Sequence, residues 1–314
     1  MKTAVLIPCY NEEITIEKVI KDFKKELPDA EIYVYNNNSK DKTAEIAEKN
    51  GAIVRHEYRQ GKGNVVRSMF REIDADIYVM VDGDDTYPAE EVHKLIKPVV
   101  DGEADMVIGD RLTNGTYQKE NKRHFHEFGN NLVKKSINVA FKTDLKDIMT
   151  GYRVFNKLFV KTMPVMSPKF EIETEMTIHT LDKNMGVENV IIEYRDRPEG
   201  SVSKLSTYSD GFKVLKTIAS LYKNYRPLSF FSWVSLALAL VGLVFLIPVL
   251  IDYAKTGLVP KMPSFVASIF FFICSIQSFF GGLTLQTLVK KSRQDFEIKL
   301  NEYADRKRRL LNRK

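Results

Sequence analysis

Residues 76–85 read Asp-Ile-Tyr-Val-Met-Val-Asp-Gly-Asp-Asp, an apolar run that ends in a cluster of carboxylates. A short apolar run bounded by polar residues is typical of a strand that is buried on both faces of a sheet. Ligands of open α/β sheets bind beyond the carboxyl ends of the strands. This junction therefore predicts a central strand at residues 76–81 and a site at residues 82–85.

Similar apolar runs recur upstream and alternate with stretches of helical periodicity. We predict strands at residues 3–8, 31–35 and 52–55, and helices at residues 13–27, 43–50 and 63–73. Strands that alternate with helices indicate a three-layer α/β domain with a mostly parallel sheet. Polar residues follow three of the strands, at residues 8–12, 36–41 and 82–85. One edge of the sheet is therefore the expected site.

The three carboxylates of Asp82-Gly83-Asp84-Asp85 suggest a metal site. Packed together at the end of a strand, they repel one another unless a cation is present. Hard divalent cations such as Mg²⁺ and Mn²⁺ favour oxygen ligands and commonly bridge to substrate phosphates. An ordinary acidic turn before the helix start at Pro88 explains the same residues equally well.

The usual phosphate-binding loops are missing from the sequence. No Gly-x-Gly-x-x-Gly follows the first predicted strand, and Gly61-Lys62-Gly63 lacks the remainder of a P-loop. These glycines and the lysine suit a phosphate at a helix N-terminus, and they suit an ordinary solvated turn equally well. Dinucleotide-binding and P-loop functions are therefore disfavoured.

The net positive charge of the chain comes from its C-terminal end. The formal net charge is +6, and residues 290–314 hold ten Lys or Arg against four Asp or Glu, which accounts for all of it. A nucleic-acid-binding domain carries its charge on the folded surface, so that class is disfavoured. With 44% hydrophobic residues the chain is too apolar to be disordered. Its two cysteines, Cys9 and Cys274, are too few for a disulfide framework.

Two long uncharged segments, residues 228–251 and 262–289, follow the predicted α/β domain. The shorter one reaches about 36 Å as a helix, enough for a bilayer core of ~30 Å, so we predict a transmembrane hairpin. Lysines and arginines flank its outer ends at Arg226, Lys290, Lys291 and Arg293, and the connecting loop holds Lys255 and Lys261. The positive-inside rule then places the first domain and both termini in the cytoplasm, at the plasma membrane. No signal peptide is expected, because the N-terminus runs straight into a strand.

An ordered series of motifs resembles glycosyltransferase family 2. The first four are Ile-Pro-Cys-Tyr-Asn-Glu-Glu (7–13), Asn-Asn-Asn-Ser-Lys-Asp (36–41), Gly-Lys-Gly (61–63) and Asp-Gly-Asp-Asp (82–85). The next three are Asp-Ile-Met-Thr-Gly-Tyr-Arg (147–153), Phe-Glu-Ile-Glu-Thr-Glu-Met (170–176) and Tyr-Arg-Asp-Arg-Pro-Glu-Gly-Ser-Val-Ser-Lys (194–204). With the two-span C-terminus, they are similar to polyprenyl-phosphate glycosyltransferases, the group of dolichyl-phosphate mannose synthase and bactoprenol glucosyltransferase.

The resemblance implies a GT-A, Rossmann-like fold, a nucleotide-sugar donor, a divalent metal (Mg²⁺ or Mn²⁺) and a lipid-phosphate acceptor. The residues that it implies for the nucleotide-sugar are Pro8, Tyr10, Glu12, Asn37, Lys62, Asp82, Gly83, Asp84, Arg197 and Lys204. Asp82 and Asp84 are the implied metal ligands. The implied acceptor-phosphate residues are Arg111, Arg123 and Ser203, and the implied catalytic residues are Asp84, Arg111, Asp147 and Arg197.

The expected reaction is direct displacement at the anomeric carbon with inversion, which joins the sugar to the lipid through one phosphate. A phosphate monoester is already largely ionised near pH 7, so a general base is not required. Metal and cationic side chains would instead neutralise the leaving diphosphate. Asn37 stands where the family usually has Asp, and a carboxamide can both accept from and donate to uracil. This favours UDP-sugars such as UDP-glucose or UDP-N-acetylglucosamine, with GDP-mannose as the alternative.

Three acidic residues after the predicted sheet have alternative roles. Asp147 and Glu173 either orient the sugar hydroxyls or form a salt-bridge network with Arg153, and the sequence leaves both open. Glu175 is assigned a structural role.

The predicted organisation has four parts. They are a cytoplasmic glycosyltransferase domain (1–207), an amphipathic interfacial helix (208–227), two transmembrane helices (228–289) and a basic cytoplasmic tail (290–314). The apolar face of the interfacial helix suits a membrane surface or packing against the sheet. Small and polar residues in the second span suit helix association, either in a homo-oligomer or within the hairpin alone: Gln277, Gly281, Gly282 and Gln286.

Three other functions compete with this prediction. Processive polysaccharide synthases resemble one another in a Gln-x-x-Arg-Trp acceptor motif. The single tryptophan of this chain, Trp233, instead lies inside the first span. A non-catalytic membrane scaffold is hard to reconcile with intact Asp82, Asp84 and Arg111. A transferase with a soluble acceptor is the closest alternative, and it would tolerate the loss of Arg111 and Arg123.

Overall fold

The computed structural model describes residues 1–113, 115, 124–169, 171–198 and 210–311. The chain divides into two compact units, Met1–Asp210 and Gly211–Lys314. Each unit is described separately below.

The first unit is built around a mixed sheet of seven strands in its described part, in the order β3-β2-β1-β4-β6-β5-β7. The strands are β1 (Thr3–Cys9), β2 (Glu31–Asn36), β3 (Ile53–His56), β4 (Ile77–Met80), β5 (Met106–Asp110), β6 (Arg153–Asn156) and β7 (Val187–Ile191). Neighbouring strands run parallel except at β6, which is antiparallel to both β4 and β5. The start of β6 therefore lies at the edge where the other strands end.

Helices connect these strands in the alternation that the sequence predicts. They are α1 (Ile16–Glu26), α2 (Thr43–Lys49), α3 (Lys62–Glu72), α4 (Val92–Val100), α5 (His124–Phe141), α6 (Lys157–Thr162) and α7 (Ile172–Asp182). The buried residues of α1 recur at helical spacing along one face: Ile16, Val19, Ile20 and Phe23. Burying a side chain of this kind stabilises the fold by about 1.5–3 kcal/mol.

Helix α1 begins three residues later than predicted, because residues 12–15 form a turn. The amides of Thr15 and Ile16 both donate to the carbonyl of Glu12, at 3.1 and 3.0 Å. The Thr15 hydroxyl donates to the carbonyl of Gly83 at 2.6 Å. This turn therefore fixes the start of α1 to the acidic segment that follows β4.

Strand β4, the apolar run that predicted the fold, lies between β1 and β6. All four of its residues are buried, and Ala4–Ile7 of the neighbouring β1 are fully buried as well. The two strands pair in parallel register from Thr3 with Ile77 to Leu6 with Met80. They bring the end of β4 to the middle of the sheet edge.

The second unit contains α8 (Asp210–Tyr225), α9 (Pro227–Thr256) and α10 (Met262–Leu311). Helices α9 and α10 approach closely at small and polar residues. The Ser275 hydroxyl lies 2.9 Å from that of Ser235, and a Cβ built at Gly282 would lie 2.8 Å from the Cβ of Phe231. Nothing lies within 4 Å of such an atom at Gly281. Gly282 therefore serves the packing within the pair, and Gly281 does not.

Helix α9 and residues 262–302 of α10 are long and apolar enough to cross a membrane. In the most apolar 18-residue stretch of each helix, only 11% and 17% of the stretch is buried in the protein. Apolar side chains such as Trp233, Val244 and Phe270 are exposed. A soluble protein rarely exposes such extensive apolar surface, so these helices suggest membrane association. Helix α10 continues beyond the uncharged segment through the basic tail as far as Leu311.

Candidate active site

The predicted polar segments lie at one edge of the sheet, because they follow the parallel neighbours β1, β2 and β4. The amide of Asn37 donates to the carbonyl of Cys9 at 2.9 Å, and the amide of Glu12 donates to the hydroxyl of Thr43 at 2.8 Å. The bond from Thr15 to Gly83 adds the third segment. The edge is therefore one connected surface.

Asp82 and Asp84 form an acidic pair at the end of β4. The Asp82 side chain is 28% exposed, whereas Asp84 is 4% exposed and accepts a hydrogen bond from the Thr86 hydroxyl at 2.7 Å. Burial and the charge of Asp82 raise the pKa of Asp84, and Arg197 only partly offsets this. Gly83 between them packs so closely on β1 that a Cβ would lie 2.7 Å from the Sγ of Cys9.

Lys62 bridges two carboxylates at the start of α3. Its Nζ donates to Asp82 at 2.5 Å and lies 2.6 Å from an oxygen of Glu173, which is in the first turn of α7. Burial lowers the pKa of Lys62, but the two carboxylates more than offset this and the net shift is upward. Gly63 allows α3 to approach the chain before α7, since a Cβ there would lie 1.9 Å from the carbonyl oxygen of Ser167.

Arg197 forms an ion pair with Asp84 from the segment that follows β7. The backbone amide of Arg195 donates to the carbonyl of Thr86 at 3.0 Å, which fixes this segment beside the acidic pair. The side chain of Arg197 is 27% exposed. Each carboxylate of the acidic pair therefore contacts a cationic side chain.

Arg111 follows β5 and is held by several groups at once. Its Nε donates to Asp147 at 2.8 Å and its Nη1 donates to the Tyr87 hydroxyl at 3.2 Å. Its guanidinium carbon lies 5.6 Å from the ring centroid of Tyr194, a distance at which a cation is attracted to an aromatic face. These contacts fix the orientation of a side chain that is 13% exposed.

The salt-bridge network considered for Arg153 is wrong, because Asp147 pairs with Arg111 and Glu173 pairs with Lys62. Arg153 is fully buried, and its guanidinium donates to the carbonyls of Thr150 and Ile148 at 3.1 and 2.7 Å. Burial lowers the pKa of Arg153 to about 10. Arg153 therefore holds the loop before β6.

Sequence reasoning missed two residues that shape this loop, Gly151 and Tyr87. A Cβ at Gly151 would lie 2.2 Å from an Asp82 carboxylate oxygen, so the loop contacts the acidic pair directly. The Tyr87 hydroxyl accepts from the amide of Gly151 at 3.0 Å as well as from Arg111. Gly151 lies inside the motif at residues 147–153, but its contact with Asp82 arises only in the folded chain. No pattern in the sequence singles out Tyr87.

The structure gives Asn37 a role different from the expected contact with uracil. Its Nδ2 donates to the carbonyls of Glu57 and Arg59 at 2.7 and 2.9 Å, and its Oδ1 accepts from Gly61 N at 2.7 Å and Gln60 Nε2 at 3.2 Å. These bonds use the full capacity of a carboxamide. Asn37 therefore positions the loop that leads to Lys62, and the argument for UDP drawn from its amide is lost.

Replacing Asn37 by Asp is expected to destabilise that loop by about 2–4 kcal/mol, because a carboxylate would face two carbonyl oxygens that it cannot bond. Hydrogen exchange of residues 57–61 measures the change. Asn38→Asp is the control, since Asn38 is exposed and its Nδ2 donates to the carbonyl of Tyr58 at 2.7 Å and to Gln60 Oε1 at 3.4 Å, where water can replace both bonds. Equal protection in the two variants would contradict the role given to Asn37.

The remaining predicted residues are placed as follows. Pro8 is in β1, and Tyr10 and Glu12 are in the loop after it, each half-buried. Glu175 accepts from the amides of Met166 and Ser167 at 2.9 and 2.8 Å, a structural role. Three predicted residues lie outside the described part of the chain: Arg123, Ser203 and Lys204.

The acidic pair fits a metal ion that arrives with its substrate. Among the described residues, no group of three or more His, Cys, Asp or Glu side chains is arranged to hold a metal by itself. Mg²⁺ sites that act on phosphates commonly use one or two carboxylates and complete their shell with phosphate oxygens and water. Asp82 and Asp84 are two carboxylates of this kind.

Known proteins resemble both the sequence and the fold. The glycosyltransferase AglJ of Haloferax volcanii is 33% identical over 243 residues, which cover 76% of this chain and 78% of AglJ. A dolichyl-phosphate hexose transferase of the same organism is 28% identical over 71% of this chain and 95% of its own length.

Among solved structures, glucosyl-3-phosphoglycerate synthase of Mycobacterium tuberculosis, in complex with Mn²⁺ and uridine-diphosphate-glucose, matches with a TM-score of 0.56. Its sequence is 21% identical, and the match covers 71% of this chain and 78% of that one. This likeness confirms the GT-A fold. Residues 4–163, about half of the chain, match the family described as glycosyl transferase family 2. The chain therefore belongs to glycosyltransferase family 2 and is an enzyme of that type.

Proposed function

We propose that this enzyme transfers a hexose from a nucleotide-sugar to polyprenyl phosphate, with inversion, to give a polyprenyl-monophosphate sugar. The observation that carries the proposal is the acidic pair, Asp82 and Asp84, which forms ion pairs with Lys62 and Arg197. Arg111 is linked to the same site through the Tyr87 hydroxyl, which also accepts from the amide of Gly151. This cluster suits a reaction in which both substrates bring phosphate groups. The chain continues into two helices that suit a membrane, where a polyprenyl lipid resides.

The donor side of the site would hold the diphosphate and the metal. Asp82 and Asp84 would hold a divalent ion, which neutralises charge on the leaving diphosphate when bound. Lys62 and Arg197 add two cations beside the acidic pair. The Mn²⁺ and uridine-diphosphate-glucose bound to the mycobacterial synthase support this assignment, and the proposal admits either Mg²⁺ or Mn²⁺.

The acceptor side would place Arg111 on the lipid phosphate. Because Asp147 and Tyr87 hold the guanidinium, Arg111 needs little reordering to bind an anion. One oxygen of the lipid phosphate attacks the anomeric carbon, and the bond from that carbon to the diphosphate breaks with its electron pair. The phosphate dianion needs no general base. The dolichyl-phosphate hexose transferase relative supports this acceptor class.

The membrane arrangement is part of the same proposal. Helices α9 and α10 would span the membrane, with the catalytic unit and both termini in the cytoplasm. Helix α8 would lie in the interface, and the basic end of the chain would contact anionic headgroups. We also propose a homo-oligomer through the hairpin, with Gly281 as the small residue that the hairpin itself does not use.

A transfer assay with purified protein in detergent tests this function. Undecaprenyl phosphate and Mg²⁺ or Mn²⁺ would be combined with a panel of labelled UDP- and GDP-sugars. We expect one donor to give a metal-dependent product that partitions into organic solvent. Both nucleotides belong in the panel because the Asn37 carboxamide bonds the loop before α3 and gives no preference for uracil. Donor hydrolysis without a lipid product would favour a soluble acceptor, and inactivity of the folded protein with every donor would contradict the proposed reaction.

Replacing Arg111 by Lys is expected to lower kcat/KM for polyprenyl phosphate about 10–100-fold, the effect of losing charge-assisted hydrogen bonds. Hydrolysis of the donor by water should change far less, because water has no phosphate to bind. Arg195→Lys is the control, since Arg195 pairs with exposed Glu90 at 3.3 Å. An equal loss in transfer and hydrolysis would place Arg111 on the donor instead.

A further inference from the structure

The two cations on the acidic pair are held very differently. Lys62 lies in the first turn of α3, is 9% exposed and contacts Glu173 as well as Asp82. Arg197 lies in an irregular segment after β7, and 27% of its side chain is exposed. Lys62 is therefore the more buried of the two cations and belongs to a helix, whereas Arg197 is the more exposed one and lies outside regular secondary structure.

The Asp84 carboxylate needs one positively charged partner, either a side chain or a metal ion. It is 4% exposed, and a buried carboxylate without a counter-charge is strongly destabilising. Arg197 supplies that charge in the structure. A divalent ion on Asp84 would use the same carboxylate and would repel the guanidinium beside it. The ion and Arg197 therefore compete for one group.

A donor diphosphate resolves this competition. On its own, the diphosphate would meet the negative charges of Asp82 and Asp84 and would be repelled. When the metal and the diphosphate bind together, the metal would contact Asp84 and the diphosphate would contact Arg197. Each charged group then keeps a partner of opposite charge. The exchange makes the binding of the two ligands cooperative, because neither ligand gains the full interaction without the other.

We propose that Arg197 is the resident counter-ion of Asp84, that a divalent cation displaces it, and that the released guanidinium binds the donor diphosphate. The inference rests on the proposed function in its use of a metal and a diphosphate. It goes further in making Arg197 a competitor of the free metal and a partner of the metal–nucleotide complex. Its consequence is opposite effects of one substitution on the two binding steps.

Binding of Mn²⁺ to the full-length protein in detergent at pH 8, followed by electron paramagnetic resonance, tests the inference. We expect Arg197→Gln to bind free Mn²⁺ at least about 5-fold more tightly than the wild type, the lower end of usual coupling effects. With UDP present, the gain in Mn²⁺ affinity should be correspondingly smaller in the variant. Arg197→Lys retains a competing charge and should stay near the wild type.

Two further variants fix the interpretation. Arg195→Gln, two residues away and paired with Glu90, should bind Mn²⁺ as the wild type does. Adding Asp84→Asn to Arg197→Gln should abolish the gained affinity. Unchanged or weaker binding of free Mn²⁺ by Arg197→Gln overturns the inference, as does a complete lack of Mn²⁺ binding with UDP present. Failure of lipid glycosylation with the expected Mn²⁺ results would reject the proposed function alone.

Discussion

Asp84→Asn is expected to lower the rate of sugar transfer about 10³-fold. The substitution keeps the shape of the side chain and its acceptor oxygen for Thr86, but it removes the charge that would hold the metal. Several kcal/mol of stabilisation of the leaving diphosphate are then lost, and each 1.36 kcal/mol corresponds to about a factor of ten. The measurement is the initial rate of lipid-linked product at saturating donor.

Asp85→Asn provides a matched control one residue away. Asp85 has a positive φ of 60° and pairs with Lys18 of α1 at 2.7 Å. Asn accepts this left-handed conformation, and an ion pair with a half-exposed lysine contributes little. Transfer by Asp85→Asn should therefore stay within about 2-fold of the wild type. Equal losses in the two variants would indicate general damage to the acidic turn rather than loss of a metal ligand.

Lys62→Met is expected to reduce both stability and activity. The substitution leaves Asp82 and Glu173 facing each other without the ammonium group that lies 2.5 and 2.6 Å from them. Removing one partner of a buried ion pair typically costs about 3–5 kcal/mol. Hydrogen exchange of the β1 and β4 amides measures the free energy of opening. Donor KM should rise as well, because a cation beside the diphosphate is lost.

Adding Glu173→Gln to Lys62→Met separates the two effects. The double variant has one fewer uncompensated carboxylate, so part of the lost stability should return, a non-additive result expected for residues in contact. Activity should not return, because the cation is still absent. Recovery of donor binding in the double variant would contradict a direct role for Lys62 on the diphosphate.

The sequence was a good guide to the sheet and to the edge that holds the site. Apolar runs mark β1, β2 and β4 because these strands are buried, and the polar residues after them are local in the chain. The antiparallel β6 could not be predicted in the same way. Its neighbours β4 and β5 precede it by more than 40 residues, and pairing over such distances leaves no periodic signal.

The partners of the charged residues were predicted less well than their positions. For Asp147 the sequence left open either the sugar hydroxyls or a salt bridge with Arg153, six residues away, but the carboxylate pairs with Arg111 across 36 residues. Asn37 was expected to contact the base, but its side chain bonds residues 57–61, which lie 20 to 24 residues further along the chain. Charge and residue type state what a side chain needs, whereas the fold decides which of several equivalent groups supplies it.

The central claim is that the sugar alone, without its phosphate, moves to the lipid phosphate. A donor with tritium in the sugar and phosphorus-32 in the β-phosphate tests this directly. The donor that is active in the transfer assay would carry both labels and would be incubated with undecaprenyl phosphate. Both labels would then be counted in the organic extract. We predict a lipid product with tritium and without phosphorus-32, which should remain in the nucleotide. Both labels in the lipid, or tritium only in a water-soluble product, would contradict the account.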